Sequence, residues 1–131
     1  MRRREFLGTL SATLLAGSLM GCAGDDIVTG PILNLPRGRL RGKIVNGVHR
    51  YLGIPYAEAP FGQNRFVAPI PRAPWEQIFE ADRHGFICPQ AGQGVGTDSL
   101  IEGEACLNLN IWTPDPGAKG LPVMVWAHGG G

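Results

Sequence analysis

Several features that commonly reveal a protein's chemistry are missing from this sequence. It has no Cys-x-x-Cys pair, and His49, His84 and His128 are scattered along the chain, so a metal site is not expected. No convincing amphipathic helix occurs beyond residue 21. The composition, with 44% apolar residues, 20 Gly and 11 Pro, excludes a disordered, collagenous or coiled-coil protein. It is typical of a loop-rich chain built from strands.

A basic surface is also missing. Arg2, Arg3 and Arg4 lie within the first four positions, and without residues 1–21 the chain keeps nine basic residues against ten acidic ones. Such a balanced charge leaves no polybasic face for a phosphate backbone. Nucleic acid is therefore not an expected partner.

Residues 1–21 have the pattern of an export signal. A basic start is followed by an apolar stretch over residues 6–20, which is too short and too interrupted by Gly, Thr and Ser to span a bilayer comfortably. Arg3 and Arg4, followed by Glu5-Phe6-Leu7, resemble the twin-arginine export motif. An ordinary secretory signal that happens to be rich in Arg is the alternative.

The end of this signal resembles a bacterial lipobox. In Leu19-Met20-Gly21-Cys22 a small residue precedes a cysteine, and the polar residues that follow end the apolar stretch. Cys22 is accordingly predicted to carry a lipid, with a chance cysteine as the alternative. We expect an exported bacterial lipoprotein of the cell envelope that is attached to a membrane through Cys22. Residues 22–38 are predicted to be an irregular tether, with the structured unit beginning near Arg39.

The cysteine count agrees with this prediction. An exported protein with three cysteines leaves one unpaired, and lipidation of Cys22 accounts for it. Cys88 and Cys106 then remain as a pair in an oxidising compartment. A disulfide between them would close a loop of about 17 residues and stabilise the fold by roughly 3 kcal/mol.

The clearest local structure is a hairpin. Residues 40–45 and 48–54 are short strand-like runs around Asn46-Gly47, the strongest short signal for a β-hairpin. Residues 60–74 are predicted to be a wrapped coil held by its aromatic side chains Phe61, Phe66 and Trp75. Periodicity does not decide between a strand and a turn within residues 75–83.

Two further strands are predicted near the carboxyl end. Residues 106–112 form one, and the nearly continuous apolar run over residues 121–127 forms the other. A continuous apolar run is typical of a strand buried on both faces, as in an α/β sheet covered by helices. No candidate helix is present to cover it, which indicates an incomplete fold.

His128-Gly129-Gly130-Gly131 follows this run directly. Acyl transfer needs backbone N–H groups aimed at a developing oxyanion, and glycine lets the backbone approach closely. A buried strand that leads into such a turn is the arrangement of lipases and esterases. A simple glycine-rich turn or a phosphate loop remains an alternative explanation of this motif.

Five separated motifs resemble type-B carboxylesterases, the family that includes cholinesterases and bacterial para-nitrobenzyl esterases. They occur in the family's order: Leu52-Gly53-Ile54-Pro55-Tyr56-Ala57; Pro60, Arg65-Phe66, Pro69 and Trp75; Cys88-Pro89-Gln90; the run from Glu104 to Pro114; and Trp126-Ala127-His128-Gly129-Gly130-Gly131. The resemblance implies that residues 39–131 are the amino-terminal part of an α/β-hydrolase fold, comprising the opening hairpin and the first strands of the central sheet.

The resemblance also implies the chemistry. Gly130 and Gly131 match the oxyanion-hole donors of a cofactor-free carboxylic ester hydrolase that acts through a serine acyl-enzyme. Cys88 and Cys106 match the family's first disulfide, and His128 is expected to be structural. Two departures stand in Ala105 and Asn108, where the family usually has an acidic and an aromatic residue; Glu104 is a partial substitute for the acid.

Substrate and activity are constrained by what is missing. Residues 89–105 contain no aromatic residue, so choline esters are poorly supported. The serines Ser11, Ser18 and Ser99 do not lie in a Gly-x-Ser-x-Gly elbow. We therefore expect this chain to be an inactive fragment whose nucleophile, acid and base lie beyond residue 131. The alternatives are a non-catalytic surface or adhesion lipoprotein of the same fold, and the remnant of a broken gene.

Overall fold

The computed structural model describes residues 24–89, 103–127 and 129. Five strands within these ranges form one sheet. The strands are β1 (Ile27–Leu35), β2 (Gly38–Val45), β3 (Val48–Pro55), β4 (Ile78–Glu80) and β5 (Asn108–Thr113), with one turn of 3₁₀ helix at Gly62–Asn64. Neighbours in the order β1-β2-β3-β5 are antiparallel, whereas β4 pairs with β2 in parallel.

The predicted hairpin is confirmed as β2 and β3. Val45 pairs with Val48, and the two residues between them, Asn46 and Gly47, have φ angles of 50° and 80°. Positive φ at both central positions matches the turn to the right-handed twist of the strands, and Asn followed by Gly adopts it at low cost. The local sequence therefore decides the register of this pair.

The expectation of an irregular tether over residues 22–38 is wrong for most of that segment. Residues 27–35 form β1 and pair with β2, so the sheet begins well before Arg39. Gly30 and Pro31 made the segment look irregular, yet they lie where the register shifts between Thr29 and Ile32. Because β1 is an edge strand of the described sheet, Pro31 can lack an N–H without breaking an interior ladder.

One edge of β2 is shared by two partners. Residues 43–45 pair with β3, whereas residues 39–41 pair with β4, so the hairpin opens into a fork that β4 fills. Ala81, which is fully buried, continues this insertion: its N–H donates to Arg41 O at 2.7 Å, and its carbonyl accepts from Leu52 N at 2.9 Å. Segment 78–81 thereby replaces the hydrogen bonds that the opened hairpin loses.

The fork depends on the glycine at its branch point. A Cβ at Gly42 would lie 2.3 Å from Arg50 O and 2.5 Å from the ring of Tyr51, so no larger residue fits without displacing the backbone. Gly53 has a similar function on β3, with φ of 67° and a Cβ position 2.7 Å from Gly85 N. Both glycines allow the backbones around the inserted segment to approach closely.

A small apolar core lies over this fork. It consists of Leu40, Tyr51, Ile54 and Ala81, with Leu33 and Phe79 packed against it. Trp75 is held beside this core by its indole N–H, which donates to Arg39 O at 2.7 Å, and its ring lies 5.8 Å from that of Phe79.

The coil over residues 60–74 is held differently from the prediction. Trp75 is anchored, but Phe66 is 93% exposed and does not anchor the coil by burial; the Arg65 guanidinium lies 4.9 Å from the centre of its ring. Polar contacts fasten the coil instead: Glu58 accepts from Ala73 N at 3.1 Å and pairs with Arg72 at 2.8 Å. These two partners lower the pKa of Glu58, the backbone hydrogen bond from Ala73 contributing most.

The two strands predicted near the carboxyl end have different outcomes. Residues 108–113 form β5, which confirms the first apart from its ends. Residues 121–127 have no regular secondary structure, and Val123, Met124, Val125 and Trp126 are 83–91% exposed. A strand needs a neighbouring strand to pair its backbone, and none of the described strands lies beside this run.

The branch point predicts a sharp steric effect. We expect Gly42→Ala to lower the free energy of unfolding by about 1–3 kcal/mol, because the added methyl group overlaps Arg50 O. Urea unfolding followed by far-ultraviolet circular dichroism measures the change. Gly24→Ala is the matched control, since a Cβ there has no atom within 4 Å. Equal midpoints for the two variants would contradict the close approach.

Candidate functional site

The glycines predicted to bind the oxyanion lie outside the described residues. Gly130, Gly131 and the preceding His128 belong to that part of the chain, as do Cys22, Arg3 and Arg4. Gly129 is described, and a Cβ built on it would have no atom within 4 Å. The apolar run over residues 121–127 that leads to the motif is described, as are Cys88 and Cys106.

Cys88 and Cys106 are brought together by the fold. Both are free thiols, with Cys88 Sγ 3.0 Å from Cys106 Sγ although the residues lie 18 positions apart. Burial raises the pKa of Cys106 to about 11, and its hydrogen bond with Cys88 adds to this effect. In this arrangement Cys106 is a protonated thiol at neutral pH, which makes it a poor nucleophile.

A backbone contact closes the neck of the loop between the two cysteines. Gly103 N donates to Ile87 O at 3.1 Å, one residue before Cys88. A Cβ at Gly103 would lie 2.6 Å from the ring of Phe86, so the glycine lets the two chain segments meet. Residues 90–102, between these segments, lie outside the described residues.

Asn108 has a structural role that its sequence position did not reveal. Its side-chain amide donates to Phe86 O at 2.9 Å, and its carboxamide fills the space beside Gly85, where a Cβ would come within 2.5 Å. The backbone N–H of Asn108 also donates to Cys106 O at 3.0 Å. Asn108 thus joins the segment before Cys88 to the start of β5, two residues after Cys106.

A second amide on β5 supports the same region. Asn110 Oδ1 accepts from Gly53 N at 2.8 Å, at the place where the pairing of β3 with β5 shifts register between Tyr51 and Ile54. The side chain replaces a backbone acceptor that the register shift removes. Sequence reasoning missed this contact, and the signal available was the pair of asparagines that alternate with apolar residues in 107–111.

Other charged groups of the described residues include Glu104 and the Arg41–Glu80 pair. Glu104 is exposed and forms no ion pair there, so its predicted substitution for the missing acid has no support in these contacts. The guanidinium group of Arg41 donates hydrogen bonds to both carboxylate oxygens of Glu80, and this pairing lowers the pKa of Glu80. Across residues 24–89 and 103–127 there is no cluster of three potential metal ligands and no helix long and apolar enough to cross a bilayer.

Comparison with known proteins gives a consistent result. The model of the carboxylesterase family matches residues 29–131. A para-nitrobenzyl esterase of Bacillus subtilis is 43% identical over 106 residues, which cover 79% of this chain and 22% of that protein. A pyrethroid hydrolase, Ces2e of Rattus norvegicus, is 37% identical over 143 aligned positions, covering 95% of this chain and 25% of that protein.

Solved structures agree with these relatives. A thermophilic PNB esterase superposes with a TM-score of 0.68 at 41% identity, covering 76% of this chain and 21% of that one. The prediction of part of an α/β-hydrolase fold is confirmed, and the described strands are an antiparallel portion of it. The chain spans between a fifth and a quarter of the length of these relatives.

Asn108 provides a test of the contacts around the cysteine pair. Asn108→Asp keeps the size of the side chain but replaces the N–H donor that faces Phe86 O with an acceptor. We expect the free energy of unfolding at pH 7 to fall by about 1 kcal/mol, the value of one hydrogen bond in a partly exposed position. Urea unfolding measures it, with Asn34→Asp as the control for added charge at an exposed position. Equal effects would show that charge, rather than the lost donor, is responsible.

Proposed function

The chain belongs to the carboxylesterase family, and we propose that its protein hydrolyses carboxylic esters through a serine acyl-enzyme. The observation that carries this proposal is the family match across residues 29–131, because that match includes the apolar run and the glycine motif that follows it. The names of the relatives, a para-nitrobenzyl esterase and a pyrethroid hydrolase, support small carboxylic esters as the substrate class.

In this proposal, Gly130 and Gly131 supply two N–H donors of the oxyanion hole. Attack by the serine on the ester carbonyl places negative charge on its oxygen, and donors that are already oriented stabilise that charge without reorganising. Glycine suits both positions because the backbone itself must reach the substrate. His128 packs as a structural residue, and the reaction requires no cofactor.

We propose that the nucleophile, its orienting acid and its base come from residues outside positions 1–131. None of Ser11, Ser18 and Ser99 lies within a Gly-x-Ser-x-Gly elbow, which a serine of this class requires for its exposed position. We propose that the 131-residue polypeptide alone does not turn over esters. Choline esters are disfavoured as substrates, since residues 89–105 offer no aromatic face to a quaternary ammonium group.

Removal of one oxyanion donor tests this mechanism. In the complete gene product, Gly131→Pro deletes a backbone N–H, so kcat for para-nitrophenyl acetate should fall by about 10²–10³-fold with little change in KM. Gly24→Ala is the control and should retain full activity. The isolated residues 1–131 should show no turnover above their own Gly131→Pro variant.

Two results would contradict parts of the proposal. Turnover by the isolated 131 residues would place a nucleophile within them. A complete gene product without activity, and with Gly in place of the elbow serine, would instead favour the non-catalytic surface lipoprotein.

We further propose that Cys88 and Cys106 form a disulfide in the exported protein. The separation of 3.0 Å between their sulfur atoms supports this, because a bond of about 2 Å then needs only a small side-chain movement. Such a bond would secure the neck already formed by Gly103 and Ile87.

The disulfide is tested by mass spectrometry of non-reduced tryptic peptides from envelope material. We expect one linked pair of peptides containing Cys88 and Cys106, and its separation into two peptides after reduction. Finding both thiols open to alkylation without reduction would overturn the pairing. A Cys88→Ser variant, which cannot form the bond, defines the signal of unpaired Cys106.

We also propose that the amino terminus directs export of the protein. Residues 1–21 act as an export signal whose paired Arg3 and Arg4 resemble the twin-arginine motif, and Cys22 receives a lipid after cleavage. The protein is accordingly a lipoprotein of the cell envelope. The sequence of the lipobox-like segment supports this proposal.

A further inference from the structure

The segment after Cys22 is bound to the turn of the β2–β3 hairpin. Asp26 N donates to Asn46 Oδ1 at 3.0 Å, and Asn46 N donates back to Asp26 O at 2.9 Å. The amide of Asn46 also donates to the Asp25 carboxylate at 2.9 Å. Three hydrogen bonds therefore fasten residues 25 and 26 to the turn, so the fastened part of the chain begins at Asp25.

These hydrogen bonds leave a much shorter segment between Cys22 and the sheet than the expected tether of 17 residues. Two residues, Ala23 and Gly24, separate Cys22 from Asp25. The three steps from Cys22 to Asp25 span at most about 3.6 Å each in an extended chain, or about 11 Å in total. A lipid on Cys22 must lie within the bilayer, with its Cα near the headgroups. The turn at Asn46 and Gly47 therefore cannot lie far from the membrane surface.

We propose that the turn end of the sheet lies against the lipid headgroups when Cys22 is lipidated. This orientation depends on the proposed lipid anchor. Ile27, Val45 and Val48 lie at this end, because Ile27 pairs with Val45 and Val45 pairs with Val48. Ile27, Val28 and Val48 are 40–52% exposed, which provides an apolar margin for a lipid surface.

The opposite end of the sheet faces away from the membrane. Leu35 pairs with Gly38 at the far end of β1, about 25 Å from Ile27 at the usual rise of a strand. Asn108 pairs with Pro55 at that same far end, whereas Thr113 pairs with His49 near the turn. The Cys88–Cys106 neck, which adjoins Asn108, is thus held on the side remote from the bilayer.

Photocrosslinking to lipid tests this orientation in the full chain, expressed with its leader in a bacterial host. p-Benzoylphenylalanine replaces Ile27 in one variant and Leu35 in the other, two exposed positions on the same strand. After irradiation of intact envelopes, phospholipid adducts are counted by mass spectrometry. We expect severalfold more adduct at position 27 than at position 35. Equal yields, or more adduct at position 35, would overturn the orientation.

A longer tether is the decisive control. Ten Gly and Ser residues inserted between Gly24 and Asp25 leave the contacts with Asn46 intact but release the turn from the surface. The adduct at position 27 should then fall to the level at position 35. An unchanged yield would show that the short tether does not set the orientation.

Failure of the lipid anchor itself is measured separately. Lipidated Cys22 gives an amino-terminal peptide with the mass of an attached diacylglycerol, and Cys22→Ser abolishes both that mass and recovery in the membrane fraction. An unmodified Cys22 would overturn the anchor and the orientation together. A lipidated Cys22 with equal crosslinking at both positions would overturn the orientation alone.

Discussion

The close approach of β2 to Arg50 and Tyr51 at Gly42 is the constraint on which the described fold depends. Because Gly42 has no Cβ, β2 can exchange one partner for another along a single edge, pairing with β4 before this residue and with β3 after it. The opened hairpin would otherwise leave backbone groups without partners, and the segment ending at Ala81 supplies them. The core forms over this junction, with Leu40 and Tyr51 on the two strands of the fork.

Side-chain amides extend this junction toward the cysteines. Asn110 replaces a backbone acceptor for Gly53, and Asn108 links β5 to Phe86. Two polar side chains therefore supply hydrogen bonds that backbone pairing supplies elsewhere in the sheet. Their position explains how two thiols remote in sequence come within 3.0 Å of one another. The cysteine neck and the turn bound to Asp25 also lie apart, one at each end of the sheet.

The accuracy of sequence reasoning followed the range of the interactions involved. The hairpin was predictable because Asn46 and Gly47 decide the turn through their own backbone preferences. β1 was missed because Gly30 and Pro31 are unfavourable in a regular strand, and only the register shift and the edge position make them acceptable. The run over residues 121–127 has strand-forming residues, but a strand cannot form there without a backbone partner.

The sequence by itself determined the family, since five motifs in a characteristic order need no coordinates to be read, and it predicted that Cys88 and Cys106 form a pair. Tertiary structure alone decided how close their sulfur atoms lie, where β4 inserts, and that residues 25 and 26 are bound to the hairpin turn. The physical reason is that the residues of a motif are recognised by their type and their spacing along the chain. The fork and the binding of residues 25 and 26 to the turn depend instead on contacts between residues that are distant in the chain and individually ordinary.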